Sequence, residues 1–338
     1  MPKTVAAFGE VMMRLAVPGY DLLSQASSLN YSFSGTGVNV ASALSRFGHT
    51  GLLVTRLPQN PLGEAAAAYL RKLGIGSDFV QRGGSYLGLY FLENGFGARP
   101  SRVTYSNRLE SSFNTAPEGA YDYAAIADKV DAVHFCGITL AMNDGVRAHM
   151  KALAQAVKAR GGTVIFDCNY RPSLWGEQGY AAAKPHYEEM LALADIVFMN
   201  EKDAMLTLGM HTAAKERDEQ LAELIPLVAE RYGIRAIAGT HREIHGDNSH
   251  SLRGFLYKDG KLVRSKRLTF SVYDRIGAGD AFASGIIHGE LERFEAERTV
   301  NFAAAAGMLA HTVAGDTPMA SEQDVLRAVE SSVGDVER

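Results

Sequence analysis

The pattern of hydrophobic and polar residues divides the chain, from about residue 130 onward, into short apolar runs and longer helical segments. Four runs rich in β-branched and aromatic residues predict strands at Ala132–Cys136, Thr163–Asp167, 195–199 and 234–238. Three intervening stretches carry apolar residues at a spacing of three to four, which predicts helices over 144–160, 180–194 and 213–232. This alternation predicts a doubly wound α/β fold with a mostly parallel sheet flanked by helices. Ligands in such sheets bind beyond the carboxyl ends of the strands.

Two segments, 10–33 and 86–113, break this rhythm. They are rich in Tyr, Ser, Gly and Asn, and residues 87–92 alternate as a short strand does. We predict that both segments form a small β lid over the site. Because no repeat or linker separates two domains, we predict one domain over 1–320, followed by a C-terminal helix and tail over 321–338.

Composition and charge disfavour several classes of protein. The 338 residues are 46% hydrophobic, enough to bury a large core. The net charge is −4 and no long block of Lys or Arg occurs, so we expect no nucleic-acid partner. No apolar stretch approaches the roughly 18–20 residues that span a membrane, and the N-terminal apolar run includes Glu10, which favours a first strand over a signal peptide. We therefore expect a cytoplasmic protein without a membrane partner.

The two cysteines, Cys136 and Cys168, each end an apolar run. They are too few for a disulfide scaffold, and free cysteines are among the most buried residues. We expect two buried thiols rather than a catalytic or metal-binding pair.

The motif Gly277-Ala278-Gly279-Asp280 stands directly before an apolar helical stretch. Glycines leave backbone amides bare at a helix start, where these amides and the helix dipole favour negative charge, including a transferring phosphoryl group. Asp280 in the first turn could accept the proton of an attacking hydroxyl group, as a general base does. The alternative is a glycine-rich turn whose Asp only caps the helix.

This run resembles the C-terminal signature of the ribokinase-like (PfkB) carbohydrate kinases. The run Gly35-Thr36-Gly37-Val38-Asn39 resembles their N-terminal signature, in the expected order and about 240 residues earlier. The resemblance extends from Val5 to about Pro318 and implies a ribokinase-like fold with ATP and Mg²⁺. It implies that Asp280 is the base, that the 277–279 amides form an anion hole, and that the sugar contacts Gly35, Thr36, Gly37 and Asn39.

Two further segments fit the family. Asn169 and Arg171 follow a predicted strand, and a guanidinium group there offers a fork for phosphate or carboxylate. The run that begins at Asn200 resembles the Asn-x-x-Glu magnesium motif of the family, with Asp203 in the last place. The resemblance implies that Asn200 and Asp203 contact the metal through water, with Glu201 as a rival.

Other implied nucleotide contacts lie later in the chain. The run Gly239-Thr240-His241-Arg242, placed after a predicted strand, matches the segment that approaches the ATP phosphates. Arg275-Ile276 stands where many members of the family have Thr-Thr or Thr-Val. The resemblance therefore does not decide whether this chain has the monovalent-cation site of the family, and it implies that Arg275 lies near the ATP phosphates. The Ala-rich segment 301–313 matches the helix beside the adenine or forms plain core. The implied nucleotide-binding residues are Asn169, Arg171, Asn200, Gly239, Thr240, Arg242, Arg275, Gly277 and Gly279.

Within the family, the chain looks similar to 2-keto-3-deoxygluconate kinases in the runs DCNYRPSLW and HTVAGD. In those enzymes a lid Tyr and a Tyr/Arg pair hold the substrate and its carboxylate, which implies that Tyr90, Tyr105 and Arg108 bind substrate together with Arg171 and Asp280. The spacing from Tyr105 to Arg108 is one residue longer than in the pattern, and fructokinases share the Asp-x-Asn-x-Arg run. The resemblance implies phosphorylation of 2-keto-3-deoxygluconate on its 6-hydroxyl, with a neutral-sugar kinase as the alternative. It also implies a homodimer through the lid.

Other interpretations are less favoured. His241, His245, Asp247 and His250 crowd one loop, but their spacing matches no familiar tetrahedral metal site, which favours a polar loop. The chain has no P-loop motif and lacks the third glycine of a dinucleotide fingerprint, which disfavours an NAD-dependent oxidoreductase. A non-catalytic sugar-binding protein is a remote alternative, because a binder needs no base beside an anion hole.

Overall fold

Short apolar runs form the central strands of a large sheet, and more polar runs form its edges and a second, small sheet, in the computed structural model of the protein, which describes residues 2–247 and 249–330. Their β-branched and aromatic side chains fit the pleated, half-buried surface of a sheet. The strands are β1 (Thr4–Phe8), β2 (Met12–Ala16), β3 (Asn30–Ser34), β4 (Thr50–Leu57), β5 (Val80–Arg82), β6 (Gly88–Glu93), β7 (Arg102–Ser106), β8 (Ala132–Cys136), β9 (Thr163–Asp167), β10 (Ile196–Phe198), β11 (Ala236–Ile244), β12 (Ser249–Lys258), β13 (Lys261–Arg264) and β14 (Leu268–Ser271).

Amphipathic segments form the helices. Asn60 and Asn143 each accept a hydrogen bond from the first turn of the helix that follows, as N-cap residues do. A single π-helical turn covers Asp203–Thr207. The α-helices are α1 (Thr36–Arg46), α2 (Pro61–Lys72), α3 (Tyr123–Lys129), α4 (Gly137–Leu140), α5 (Asp144–Ala159), α6 (Gly179–Leu193), α7 (Arg217–Tyr232), α8 (Ala278–Leu291), α9 (Ala296–Ala310) and α10 (Glu322–Glu330).

The large sheet has the order β13-β12-β11-β10-β9-β8-β1-β4-β5, and β14 also pairs with β12. All neighbours from β11 to β5 along this order are parallel. The pairs that β12 makes with β11, β13 and β14 are antiparallel. The predicted doubly wound, mostly parallel sheet is therefore confirmed.

Two predicted strands, β8 and β9, match the structure residue for residue, whereas other predicted boundaries were wrong. β11 begins at Ala236 rather than 234 and continues to Ile244, because it pairs with β12 over that whole length. The run 239–242 therefore lies within a strand and not after one. α7 begins at Arg217 rather than 213, and β10 lacks the two end residues of its predicted range.

The small sheet has the order β3-β2-β6-β7, so the two predicted lid segments pair with each other. β2 and β6 are parallel, and each has one antiparallel partner at its outer edge. β2 and β3 leave the main domain between β1 and α1, which brings the small sheet to the carboxyl end of β1. The predicted division into a domain over 1–320 and a C-terminal segment stays a prediction, and residues 331–338 of that segment lie outside the described residues.

The strand register places the residues that follow β8, β9 and β10 along one edge of the sheet, level with the middle of β11. Cys136 pairs with Asp167, and Asp167 pairs with Phe198. Both cysteines are buried and free, as predicted. The Ala-rich helix α9 packs against α8, where a Cβ on Gly285 would lie 2.5 Å from the Cα atom of Ala303. Among the described residues, no helix combines the length and hydropathy needed to cross a bilayer.

Candidate active site

The start of α8 presents free backbone amides at the edge of the sheet. Gly277 is the N-cap, with φ 83°, and a Cβ there would lie 1.7 Å from the carbonyl oxygen of Asp316. The first helical hydrogen bond runs from Ala281 N to Gly277 O at 2.9 Å, so the three preceding amides, from 278 to 280, have no acceptor within the helix. A Cβ on Gly279 would meet no atom of the described residues within 4 Å. The space at Gly279, one of the residues predicted to form an anion hole, is therefore accessible to a ligand.

Asp280 is buried in the first turn of α8. Its Oδ2 accepts a hydrogen bond from Asn39 Nδ2 at 2.7 Å, and Asn39 Oδ1 accepts one from Thr317 Oγ1 at 3.3 Å. Burial raises the pKa of Asp280 to about 6, although the hydrogen bond from Asn39 and the charge of Arg171 act in the opposite direction. A carboxyl group with this pKa is ionised at neutral pH and still basic enough to accept a proton.

Gly35, the N-cap of α1, and Gly37, in its first turn, allow close packing. A Cβ on Gly35 would lie 2.2 Å from the carbonyl oxygen of Glu10, and one on Gly37 would lie 3.1 Å from Leu53 Cδ1. Gly37 therefore fits α1 against the sheet and does not line the cavity beside Asp280. These contacts fix the position from which Asn39 reaches Asp280.

A cavity of about 450 Å³ lies between the small sheet and the start of α8. Its wall combines most of the residues that the sequence predicted for substrate and phosphates. The predicted lining residues are Gly35, Thr36, Asn39, Tyr90, Tyr105, Asn169, Arg171, Arg242, Arg275, Gly277, Gly279 and Asp280. Sequence reasoning missed Met12, Ser34, Val103, Ile138, Ile276 and Asp316, which also line it.

A second cavity, of about 250 Å³, shares Asn169, Arg171 and Gly279 with the first. The other predicted residues in its wall are Asn200, Asp203, Gly239 and Thr240, and Asp167 lines it as well. A Cβ on Gly239 would lie 2.4 Å from Met199 O, so this position needs glycine for its close approach to the neighbouring strand. The two cavities meet at the anion hole, which suits a phosphoryl donor on one side and an acceptor on the other.

The second cavity contains two carboxyl groups that are costly to ionise. Burial, together with the charges of Asp280 and Asp203, raises the pKa of Asp167 to about 7, although Arg171 acts in the opposite direction. Burial likewise raises the pKa of Asp203 to about 6, although Oδ2 of Asp203 accepts a hydrogen bond from Asn200 N at 2.9 Å. A bound cation would stabilise both charged forms. The described residues contain no group of three or more His, Cys, Asp or Glu side chains that could hold a metal ion. Mg²⁺ suits a site with few protein ligands, because it keeps several of its bound waters.

Glu201 is engaged in an internal ion pair, which disfavours it as a metal ligand. Its Oε1 accepts from Arg217 Nε at 2.7 Å, and its Oε2 lies 2.9 Å from His241 Nε2. Although burial acts to raise it, these hydrogen bonds hold the pKa of Glu201 at about 2. The predicted polar loop around His241, His245 and His250 was partly wrong, because His241 lies in β11 and His250 is buried in β12. Between the two strands, His245 Nε2 lies 2.7 Å from Ser251 Oγ.

Arg108 lies behind the cavity wall instead of in it. Its Nε donates to Glu10 at 2.9 Å, and its guanidinium group stacks on Tyr105, 4.7 Å from the ring centroid. Within the described residues, its buried Nη1 has no hydrogen-bond partner, so one donor stays available. A direct contact of Arg108 with substrate therefore stays a prediction.

Three other arginines, Arg171, Arg242 and Arg275, do line the cavity. None of them forms an ion pair within the described part of the chain. Desolvation and the nearby charge of Arg275 lower the pKa of Arg242, which shows that the two cations are close. The positive charge of this wall therefore favours the binding of anions.

Asp316 is the most informative residue that sequence reasoning missed. Its Oδ2 accepts a hydrogen bond from Ser34 Oγ at 2.5 Å and another from Tyr90. The available signal was its place as the last residue of the HTVAGD run. Asp167 gave a similar signal, because it ends a predicted strand.

The sequence of the chain also matches a known family. The model of the pfkB family of carbohydrate kinases matches residues 2–242 and 245–323. The chain belongs to this family. A pfkB carbohydrate kinase transfers a phosphoryl group from ATP to an alcohol group of a sugar, which explains why the two signatures meet at one cavity.

Three relatives of this pfkB kinase carry related names. A 2-dehydro-3-deoxygalactonokinase of Haloferax volcanii is 27% identical over the full length of both chains. The structure of a 2-dehydro-3-deoxygluconokinase of Thermotoga maritima is 32% identical, with a TM-score of 0.93 and coverage of 98% of this chain and 99% of that one. An Enterococcus faecalis structure, assigned provisionally as a 2-keto-3-deoxygluconate kinase, is 39% identical, with a TM-score of 0.95 and coverage of 99% of both chains.

Proposed function

We propose that this kinase phosphorylates 2-keto-3-deoxygluconate on its 6-hydroxyl, with ATP as the donor and Mg²⁺ as the metal. The observation that carries the proposal is a set of three arginines that lie in the same cavity as Asp280 and form no ion pair with any described residue. A sugar acid and a triphosphate both bring negative charge, which a guanidinium fork binds in a bidentate manner. The names of the relatives support the same substrate class.

Asp280 accepts the proton of the sugar hydroxyl as its oxygen attacks the γ-phosphorus. A new oxygen–phosphorus bond forms while the bond from the γ-phosphorus to the bridging oxygen breaks, and ADP leaves with the electron pair. The amides at the start of α8 stabilise the negative charge on the transferring group. Asn39 holds the carboxylate of Asp280 in place for this step.

The polar residues of the second cavity fit a magnesium ion that is bound largely through water. Asn200, Asp203 and Asp167 provide oxygen atoms there, and oxygen is the ligand that Mg²⁺ prefers. When bound, the ion supplies positive charge that neutralises the phosphate oxygens.

A substrate panel tests the proposal through ADP release. We expect the highest kcat/KM for 2-keto-3-deoxygluconate or its galactonate epimer, and much lower values for fructose, ribose and adenosine. A preference for fructose over both sugar acids would contradict the proposed substrate class. Lack of turnover with every compound would contradict the wider proposal.

Variants that remove the charge of each cavity arginine test whether these residues bind the carboxylate of the substrate. We expect Arg171→Gln, Arg242→Gln or Arg275→Gln to lower kcat/KM for the sugar acid more than for fructose. The matched control is Arg235→Gln, because Arg235 is exposed and lies beside the amino end of β11, opposite the end that carries Arg242. Equal losses on both sugars in all three variants would assign the arginines to the nucleotide alone.

We also propose a homodimer that forms through the small sheet. Tyr31 on β3 is an exposed aromatic side chain of this sheet, and exposed apolar surface marks interaction sites. Sedimentation analysis of the purified protein tests this proposal.

A further inference from the structure

Arg14 joins the small sheet to two loops of the main domain. It lies in the middle of β2, and only 6% of its side chain is exposed. Its Nη1 donates to Asp316 Oδ1, and its Nη2 lies 3.1 Å from Asp274 Oδ2. Both carboxylates are nearly buried as well. We call these three side chains the Arg14 bridge.

Asp274 organises the segment that leads into the anion hole. Its Oδ1 accepts hydrogen bonds from the backbone amides of Arg275 at 2.7 Å and Ile276 at 3.2 Å. Its Oδ2 accepts from Gly315 N at 3.1 Å in addition to Arg14. One carboxylate therefore fixes the backbone directly before Gly277 and connects it to the loop that carries Asp316.

Asp316 forms the other end of the bridge and touches both the substrate cavity and the anion hole. Its side chain lines the cavity beside Ser34 and Tyr90, with which it is hydrogen-bonded. Its backbone carbonyl packs so closely on Gly277 that a Cβ there would clash at 1.7 Å. A displacement of Asp316 would therefore move the N-cap of α8.

A hydrophobic contact parallels these polar ones. Ile276 packs against the cluster formed by Met12, Tyr90 and Leu92 of the small sheet. The segment before the anion hole is thus attached to the small sheet by its side chain as well as through Asp274.

We infer that Arg14 is a positioning residue that couples the small sheet to the phosphate-binding amides. A sugar bound under the small sheet contacts the residues that Arg14 holds, and the bridge transmits their position to Gly277. The inference rests on the kinase activity proposed above, but not on the identity of the sugar. It assigns a role to a buried charge that lies outside both sequence signatures.

The geometry needs a guanidinium group in particular. Two terminal nitrogens of one planar group reach two different carboxylates, which a single ammonium group on a flexible stem cannot reproduce in the same way. Arg14 also lines a separate cavity of about 450 Å³ behind the bridge. Truncation of its side chain would open a space continuous with that cavity, which gives free guanidinium ions a path to the two carboxylates.

The test compares Arg14→Ala and Arg14→Lys with Arg102→Ala, a control in the same small sheet whose ion pair with Glu93 is exposed on the arginine side. We expect Arg14→Ala to lower kcat/KM for the sugar at least about 30-fold, because it leaves two buried carboxylates without their partner. We expect millimolar guanidinium to restore part of this loss, and methylammonium to restore none. Neither the control nor Asp280→Asn should respond to guanidinium.

Hydrogen exchange, measured without any sugar, separates this inference from the proposed function. Arg14→Lys keeps the positive charge and serves as the second variant if Arg14→Ala fails to fold. We expect Arg14→Lys to lower kcat and to speed hydrogen exchange at the backbone amides of Arg275, Ile276 and Gly315. Wild-type exchange and wild-type kcat in Arg14→Lys would overturn the inference. Loss of activity in Arg14→Ala without any rescue by guanidinium would also count against it. A wild-type enzyme that turns over no sugar would instead contradict the proposed function.

Discussion

The helices α1 and α8 both have a glycine at the N-cap and begin beside the same cavity, but their glycines have different roles. Before α1, a Cβ on Gly35 would clash with a backbone carbonyl at 2.2 Å. In α8, a Cβ on Gly279 would meet no atom within 4 Å in the part of the chain that the structure describes. The first glycine allows close packing, whereas the second leaves an amide accessible to a ligand.

The comparison shows that the sequence of a glycine-rich motif does not by itself reveal the structural role of each glycine. Both runs resemble a family signature, yet α1 contributes the side chain of Asn39, whereas α8 contributes free backbone amides and the carboxyl group of Asp280. The hydrogen bond from Asn39 to Asp280 joins the two helices into one site. Substitutions on each side can separate these roles.

The largest effect is expected from Asp280→Asn. The amide cannot accept the proton of the hydroxyl group, so we expect kcat to fall about 10²–10⁴-fold while sugar affinity changes little. Steady-state kinetics and a direct binding measurement provide the test. Near wild-type turnover would remove Asp280 from the mechanism and leave only its structural hydrogen bond with Asn39.

A pair of glycine substitutions sharpens the comparison itself. We expect Gly35→Ala to lower the free energy of unfolding by about 1–3 kcal/mol, because the new methyl group meets a backbone atom. We expect Gly279→Ala to leave the melting temperature unchanged or slightly higher, but to lower kcat/KM for ATP about tenfold or more, because the methyl group enters the phosphate space.

Thermal unfolding and kinetics of both variants distinguish the outcomes. A Gly279→Ala enzyme with normal kinetics would show that the phosphates do not approach this amide. A Gly35→Ala enzyme with normal stability would show that the backbone can shift at the start of α1.

The hydrogen bond between the helices gives a pH-dependent prediction. Asp280 must be ionised to act as a base, so activity should fall as the pH drops through its pKa of about 6. Asn39 stabilises the charged form, and its loss in Asn39→Ala should raise this pKa by up to about one unit. We expect the acidic limb of the kcat/KM profile to move to higher pH by that amount. An unmoved limb would assign it to a different group.

The smallest effect is expected for a substitution of Asp167, which lies near the start of α8. The quantity that changes is the stability of the folded protein. The pKa of Asp167 is raised from 3.8 to about 7, so the folded state disfavours the charged form and stability falls between these pH values. Asp167→Asn removes the charge, and we expect the melting temperature to rise by a few degrees at pH 8 but not below pH 4.

Calorimetry at the two pH values measures this difference, and Asp247→Asn serves as a control because that carboxyl group is exposed. An equal shift at both pH values would mean that packing, and not charge, causes it.

Much of the central sheet could be predicted from the sequence, because strands buried on both faces are continuous apolar runs. β8 and β9 were predicted to the residue for this reason. β11 was not, because its second half is polar and becomes a strand only through pairing with β12. The start of α7 was missed because Thr212 Oγ1 accepts from Ala214 N at 3.0 Å, a local turn that competes with the helix.

The candidate site shows the same division. The residues at the two helix starts could be identified by motif, and the structure brings most of them together in one cavity. The pairing of Arg108 with Glu10 could not be foreseen, because 98 residues separate them and only the small sheet brings them into contact. Asp316 was missed for the same reason, since its partners Ser34 and Tyr90 lie in distant strands.

The sequence by itself determined the family and the alternating α/β order, and it identified Asp280 as the candidate base, because these depend on local chemistry and short spacing. Only the tertiary structure decided how the segment before Gly277 is held. Arg14, Asp274 and Asp316 fix it by hydrogen bonds, and Ile276 fixes it by packing on the small sheet. The physical reason is distance along the chain: Arg14 and Asp316 are 302 residues apart, and only the fold can bring two such charges together.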